Sequence, residues 1–87
     1  WALELADYQI TVNAVAPGPI ATESFAFNYP KHSPEEKELI SALPLKRTGS
    51  PEEVAYAIGC FLDERAGFIT GQTLFVDGGG SIGVGVT

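Results

Sequence analysis

The stretch VNAVAPGPIAT, residues 12–22, joins a small apolar run to three stiff residues and then to a threonine. With Ile10 and Thr11 ahead of it, ITVNAVA at 10–16 predicts a β-strand. Its residues are mostly β-branched or small, and apolar side chains fall on both faces. Burial on both faces marks a parallel strand covered by helices on each side. Asn13 then reads as a buried amide satisfied by neighbouring backbone. A plain turn needs one or two breakers, whereas Pro17, Gly18 and Pro19 stiffen a whole loop at the strand's carboxyl end. Stiff loops at strand ends are where rigid scaffolds hold ligands.

Upstream, WALELAD at 1–7 predicts a helix with no Ser, Thr, Asp or Asn ahead of it as a cap. A helix cut open at its first residue, in a chain without methionine, reads as a piece of something longer. Downstream, 17–33 reads as a long irregular stretch, a length that belongs to functional or mobile loops. SPEE then occurs twice, at 33–36 and at 50–53. Each predicts a helix start, with Ser33 and Ser50 as caps and Pro34 and Pro51 in the first helical position. Glu36 and Glu53 close the capping boxes. The first helix is expected over 34–42, gripped by Leu39, Ile40 and Leu43. The second is expected over 51–64, with Val54, Ala55, Ala57, Ile58, Phe61 and Leu62 as a broad apolar stripe. GQTLFVDGG at 71–79 predicts a second strand bounded by glycines. Two helices lie between the strands, which suits a parallel crossover and an α/β fold. Two such strands do not make a sheet by themselves, so the sheet is incomplete in this chain.

The bulk numbers narrow the function. At 87 residues the chain is at most one small domain. A net charge of −6 argues against nucleic acid or an anionic membrane as partner. The single cysteine, Cys60, cannot form an internal disulfide, so a reducing, cytoplasmic setting is expected. With no basic residue or histidine near it in sequence, Cys60 reads as packing rather than as a nucleophile. No apolar run reaches the length of a membrane span. GGGSIG at 78–83 fits the spacing of a dinucleotide-phosphate loop and follows a strand. Such a loop must open a helix, and VGVT offers none, so 78–87 is expected to be a flexible tail.

Three stretches in register, ALELADYQITVNAVAPGPIATE at 2–23, PLKRTGSPEEVA at 44–55 and FITGQTLFVDGG at 68–79, closely resemble the C-terminal third of a short-chain dehydrogenase/reductase. The type most resembled is the 3-oxoacyl-acyl-carrier-protein reductase. The resemblance covers about residues 2–80. It implies the C-terminal part of a Rossmann-like doubly wound parallel sheet, with 1–87 a segment of one NAD(P)-binding domain. Strand 10–16 would be the sixth of that sheet and 73–77 the seventh. Ligands then lie beyond the strands' carboxyl ends. By the same resemblance Pro17, Gly18, Pro19, Ile20 and Thr22 bind the nicotinamide end of NAD or NADP. Pro17 and Gly18 would form a rigid, slim wall against the ring, the Ile20 backbone would bond the carboxamide, and the Thr22 hydroxyl the carboxamide or diphosphate.

Residues 23–43 match the family's substrate lid, and Phe25, Phe27 and Tyr29 at alternate positions suggest a partly apolar pocket. His32 reads as a solvated loop residue. Arg47 reads as structural, bonding carbonyls or an acidic partner. The family's catalytic Ser and Tyr-x-x-x-Lys are expected upstream, and this chain holds no catalytic residue. Tyr8, Tyr29 and Tyr56 are followed four residues on by Val12, Ser33 and Cys60, never by lysine. The resemblance implies alcohol–ketone interconversion on a small molecule by hydride transfer. The implied partners are the N-terminal remainder of the same protein and, through helix 51–64 and the last strand, a homotetramer. The alternative is a non-catalytic remnant or assembly module. One position departs from the family, which has glycine where Gln9 stands. Gln9 must adopt the left-handed conformation, or the helix must end differently.

Overall fold

The computed structural model describes residues 1–84. The elements in order are α1 (Ala2–Leu5), a 3-10 turn (Ala6–Tyr8), β1 (Ala14–Pro17), α2 (Glu23–Asn28), α3 (Pro34–Ala42), α4 (Pro51–Leu62), a second 3-10 turn (Glu64–Ala66) and β2 (Thr73–Val76). The fold is α/β. β1 and β2 pair in parallel, from Ala14 opposite Thr73 to Pro17 opposite Val76.

β1 starts later than 10–16 predicts, because side chains replace the ladder in front of it. The Val12 N–H donates to Thr70 Oγ1 (3.0 Å), and Asn13 Nδ2 donates to the Ile69 carbonyl (3.0 Å) while its Oδ1 accepts the Gln72 N–H (3.0 Å). The Asn13 amide is thus satisfied by backbone, as expected, but it is half-buried rather than buried. At the other end β1 runs one residue further, into Pro17. Ala14 and Gly18 donate to the Gln72 and Val76 carbonyls, each at 2.9 Å. Donors toward β2 therefore alternate, and the donor that proline lacks falls on the opposite edge.

The helix before β1 ends on Gln9 in the left-handed conformation, φ 59° and ψ 33°. Its N–H reaches the Ala6 carbonyl (2.9 Å) and the Ile10 N–H reaches Leu5 (3.3 Å). These two bonds are the Schellman closure usually given to glycine.

The irregular stretch predicted over 17–33 is corrected: it contains α2. The Thr22 Oγ1 accepts the Phe25 N–H (3.2 Å) and starts this short helix. α3 and α4 fall where the caps predict. At Ser50 the box is complete, Ser50 Oγ accepting the Glu53 N–H and Glu53 accepting the Ser50 N–H. At Ser33 only half of it forms. Glu36 Oε1 accepts the N–H of His32 instead (2.9 Å), with His32 at φ 65°. α4 ends at Leu62 rather than 64 because Asp63 turns extended and its carboxylate accepts the Arg65 N–H (2.8 Å).

α4 packs on both strands. Leu74 and Val76 line a shallow groove with Tyr56, Ala57 and Cys60 of α4. Cys60 is exposed at this groove, which corrects the packing role expected of it. Buried apolar side chains are few among the described residues: Leu43, Ala57 and Ala66. No helix among the described residues is long and apolar enough to cross a membrane.

The tail expected from Gly78 is also corrected, up to Ile82. Asp77 Oδ1 accepts the Gly79 N–H (3.1 Å) and Oδ2 the Ser81 N–H (2.9 Å). The Gly80 N–H returns to the Asp77 carbonyl (3.1 Å). The segment is a set of turns and opens no helix among the described residues. The end of the expected tail, 85–87, lies outside the described residues.

Candidate functional site

The loop at the end of β1 is built from two directions. Gly18 is held against the end of β2, its N–H on the Val76 carbonyl. A Cβ there would lie 2.7 Å from Asp77 Cβ and 2.8 Å from Asp77 Cα. Real side chains do not approach so closely, so the paired strands themselves demand glycine at this position. The sequence argued for Gly18 only from the ligand side and missed this contact.

Beyond Gly18 the loop is braced by the segment before α4. The Gly49 N–H donates to the Pro19 carbonyl (3.0 Å) and the Ala21 N–H to the Gly49 carbonyl (2.9 Å). This is a parallel bridge of Ile20 with Gly49. In such a bridge the flanking residues make the bonds. Ile20 therefore turns its own N–H and C=O away from the brace, and neither is bonded among the described residues. A Cβ on Gly49 would lie 2.9 Å from Ile20 Cδ1, so glycine fits the close approach here too.

The brace is fixed in turn by an ion pair. Arg47 donates through Nη1 to Glu53 Oε1 (2.8 Å) and through Nη2 to Oε2 (2.9 Å). Arg47 also reaches the Thr48 carbonyl (3.0 Å), so both parts of its expected structural role are met. The Arg47 hydrogen bonds, with that from the Ser50 backbone, pull the Glu53 carboxyl down to about 2. Sequence reading found Glu53 only as a cap. Its partner stands six residues upstream, across an irregular turn with no periodicity to reveal it.

At the far end of the loop, Thr22 has its hydroxyl oxygen engaged by the Phe25 N–H, which leaves the hydroxyl proton free to donate outward. The three aromatics do not act together. Phe25 and Tyr29 stack, with centroids 5.0 Å apart and planes at 20°. They are four residues apart, Phe25 on α2 and Tyr29 at the cap that ends it, whereas Phe27 points elsewhere and is 85% exposed. Alternation in the sequence suggested one shared face; helix formation separates Phe27 from the other two. A groove of about 620 Å³ runs along β2 between Arg47, Glu53, Leu45 and Asp77. Of the candidate residues only Pro19 lines it, so it is a feature of the brace rather than of the Ile20 side.

The family model described as enoyl-(acyl carrier protein) reductase matches residues 1–81. Glucose 1-dehydrogenase 2 of Bacillus subtilis (strain 168) is 50% identical over 78 residues, 90% of this chain and 30% of its own length. The 3-oxoacyl-(acyl-carrier-protein) reductase FabG of Aggregatibacter actinomycetemcomitans is 42% identical over 78 residues, with the same coverage of 90% and 30%. The crystal structure of YwfH, described as an NADPH dependent reductase involved in bacilysin biosynthesis, superposes with a TM-score of 0.80 at 40% identity. It covers 91% of this chain and 33% of its own. The chain thus spans about 30% of the length of the curated relatives it matches. Matched along nearly its whole length by family, by sequence and by structure, the chain belongs to the short-chain dehydrogenase/reductase family of oxidoreductases.

Proposed function

We propose that this chain is the C-terminal segment of an NAD(P)-dependent oxidoreductase that interconverts an alcohol and a ketone. Its share of the work is to seat the nicotinamide and to cover the substrate. The observation that carries this reading is the outward-turned N–H and C=O of Ile20, held by the Gly49 bridge. A carboxamide carries one donor group and one acceptor, and this pair complements both. Pro17 and Gly18 give the loop a thin, stiff wall beside it, and the Thr22 hydroxyl adds a donor at its far end. The residues present therefore fit a nicotinamide.

When bound, NAD(P)H supplies the hydride. The chain's own residues orient. Ile20 fixes which ring face points outward, Gly18 keeps the wall from pushing the ring away, and Thr22 holds the carboxamide or diphosphate. Such orientation is worth much of the barrier to transfer between two bound groups. The acid–base tyrosine belongs to the part of the protein upstream of this chain.

Residues 23–43 serve as the substrate lid, with Phe25 and Tyr29 as its apolar lining. Phe27, on another face, contributes less. The exposed stripe of Tyr56, Cys60 and Leu74 along α4 and β2 is the assembly surface of a homotetramer. One cysteine and the acidic charge suit a cytoplasmic enzyme.

The test is ketone reduction by the complete polypeptide with NADH or NADPH. Phe25→Ala is expected to raise KM for the ketone several-fold, on the order of a buried methylene or two of discrimination, with nucleotide affinity unchanged. Phe27→Ala is expected to change it less. Absence of any nucleotide-dependent reduction across a broad ketone panel refutes the enzyme reading. An unchanged KM in Phe25→Ala refutes the pocket.

A further inference from the structure

GGGSIG at 78–83, left over by the nucleotide reading, sits against the turn that follows α3. The Leu45 N–H donates to the Gly78 carbonyl (3.0 Å). A Cβ on Gly79 would lie 2.9 Å from Pro44 Cγ and 3.0 Å from Pro44 Cβ, and one on Gly80 would lie 3.3 Å from Leu43 Cδ2. Gly79 also sits at φ 89°, so conformation and space both require glycine there. Leu43, at the end of α3, is buried to 6% exposure. Lys46 closes the turn in a left-handed conformation at φ 59°, with its N–H on the Leu43 carbonyl (2.9 Å) and its Nζ on the Ser41 carbonyl (2.6 Å).

Between its ends, segment 22–43 is unsupported. Neither α2 nor α3 packs on another element among the described residues. Its position is set at Pro19–Ala21 by the Gly49 bridge and at Leu43–Lys46 by the glycine turn. We propose that the Asp77–Gly80 turn is the seat of the lid's carboxyl-terminal hinge, and that Gly79 is a positioning residue for the substrate. This rests on the reading of 23–43 as the substrate lid. A helix of nine residues is about 13 Å long, so a tilt of about ten degrees at the hinge moves its far end by about 2 Å. That displacement opens an apolar contact and leaves the nicotinamide loop on its own bonds, Gly18 to Val76 and Pro19–Ala21 to Gly49.

The experiment is Gly79→Ala in the complete polypeptide, read three ways. Trypsin cleavage after Lys31 and Lys37, both within the lid, is expected to be about fivefold faster, as for a segment whose local opening is favoured. KM for the ketone is expected to rise about fivefold while kcat changes little, the pattern of lost uniform binding. The dissociation constant of NAD(P)H is expected to stay within about twofold. Should Gly79→Ala fail to fold, Gly80→Ala takes its place. Its Cβ would meet Leu43 Cδ2 at 3.3 Å, a milder crowding of the same hinge. Cleavage and KM at wild-type values in the folded variant overturn the proposal, and so does a parallel loss of nucleotide affinity. The proteolysis needs no turnover. A polypeptide that reduces no ketone refutes the enzyme reading, while its lid cleavage still decides the hinge.

Discussion

Gln9 and Gly18 show two ways in which one residue is bound to one conformation. Gln9 carries a side chain in the left-handed region, at φ 59°, to complete a helix closure. Gln9→Gly in the complete polypeptide is expected to raise stability by about 1 kcal/mol in urea titration, since glycine meets no Cβ penalty there. An unchanged or lowered midpoint contradicts the strain. Gly18→Ala is expected to destabilise by about 1–3 kcal/mol, the range for overpacking, because the new methyl meets Asp77. The first position was legible through the resemblance, which puts glycine where Gln9 stands and so left a left-handed Gln9 or a different helix end as the two outcomes. The second was legible only by half. Pro17 and Pro19 announce a stiff loop, but Asp77 stands 59 residues away, and nothing local encodes that contact.

Among the elements, α3 and α4 were readable because their start signals lie within four residues of one another. α2 was not. Its cap, Thr22, is also the end of the Pro-Gly loop, and six residues are too few to display a helical period. β1 was readable as a parallel strand but not in its bounds, since Thr70 and Asn13 take over pairing at its start. The start of α4 carries a pH dependence. Glu53 is held at about 2 by Arg47 and the Ser50 N–H, against about 4.3 in an unfolded chain. A depressed folded value contributes stability above the unfolded pKa and loses it as pH falls through the folded one. Fraying of this helix start is therefore expected between about pH 4.3 and about 2, read as loss of amide protection at Glu53 and Val54. Glu53→Gln is expected to remove that pH step while keeping part of the cap. A step of equal size in the variant assigns it to another group.

At the scale of the molecule, the chain exposes more than a compact body of its size. Its accessible surface is 6687 Å², against about 4,900 Å² expected from its mass. Its radius of gyration is 16.0 Å, against about 12 Å for a compact 87-residue domain. Leu3, Tyr56, Leu62, Phe68 and Phe75 all lie open. Chain 1–87 expressed by itself is expected to bind a hydrophobic dye and to melt without a sharp transition. A cooperative, dye-free melt contradicts that expectation. The same feature was legible in sequence as two buried-type strands without a sheet to complete them, because composition reports how much apolar surface there is. Which faces it occupies depends on long-range packing that no single stretch encodes.

The most direct measurement is calorimetric titration of the complete polypeptide, wild type and Ile20→Pro, with NAD(P)H and with ADP-ribose, which has no nicotinamide. The substitution removes one N–H that no described residue uses. If Ile20 holds the carboxamide, NAD(P)H weakens about tenfold, about 1.4 kcal/mol, within the range of one hydrogen bond, and ADP-ribose binds as before. Equal weakening of both ligands, or of neither, contradicts the nicotinamide loop.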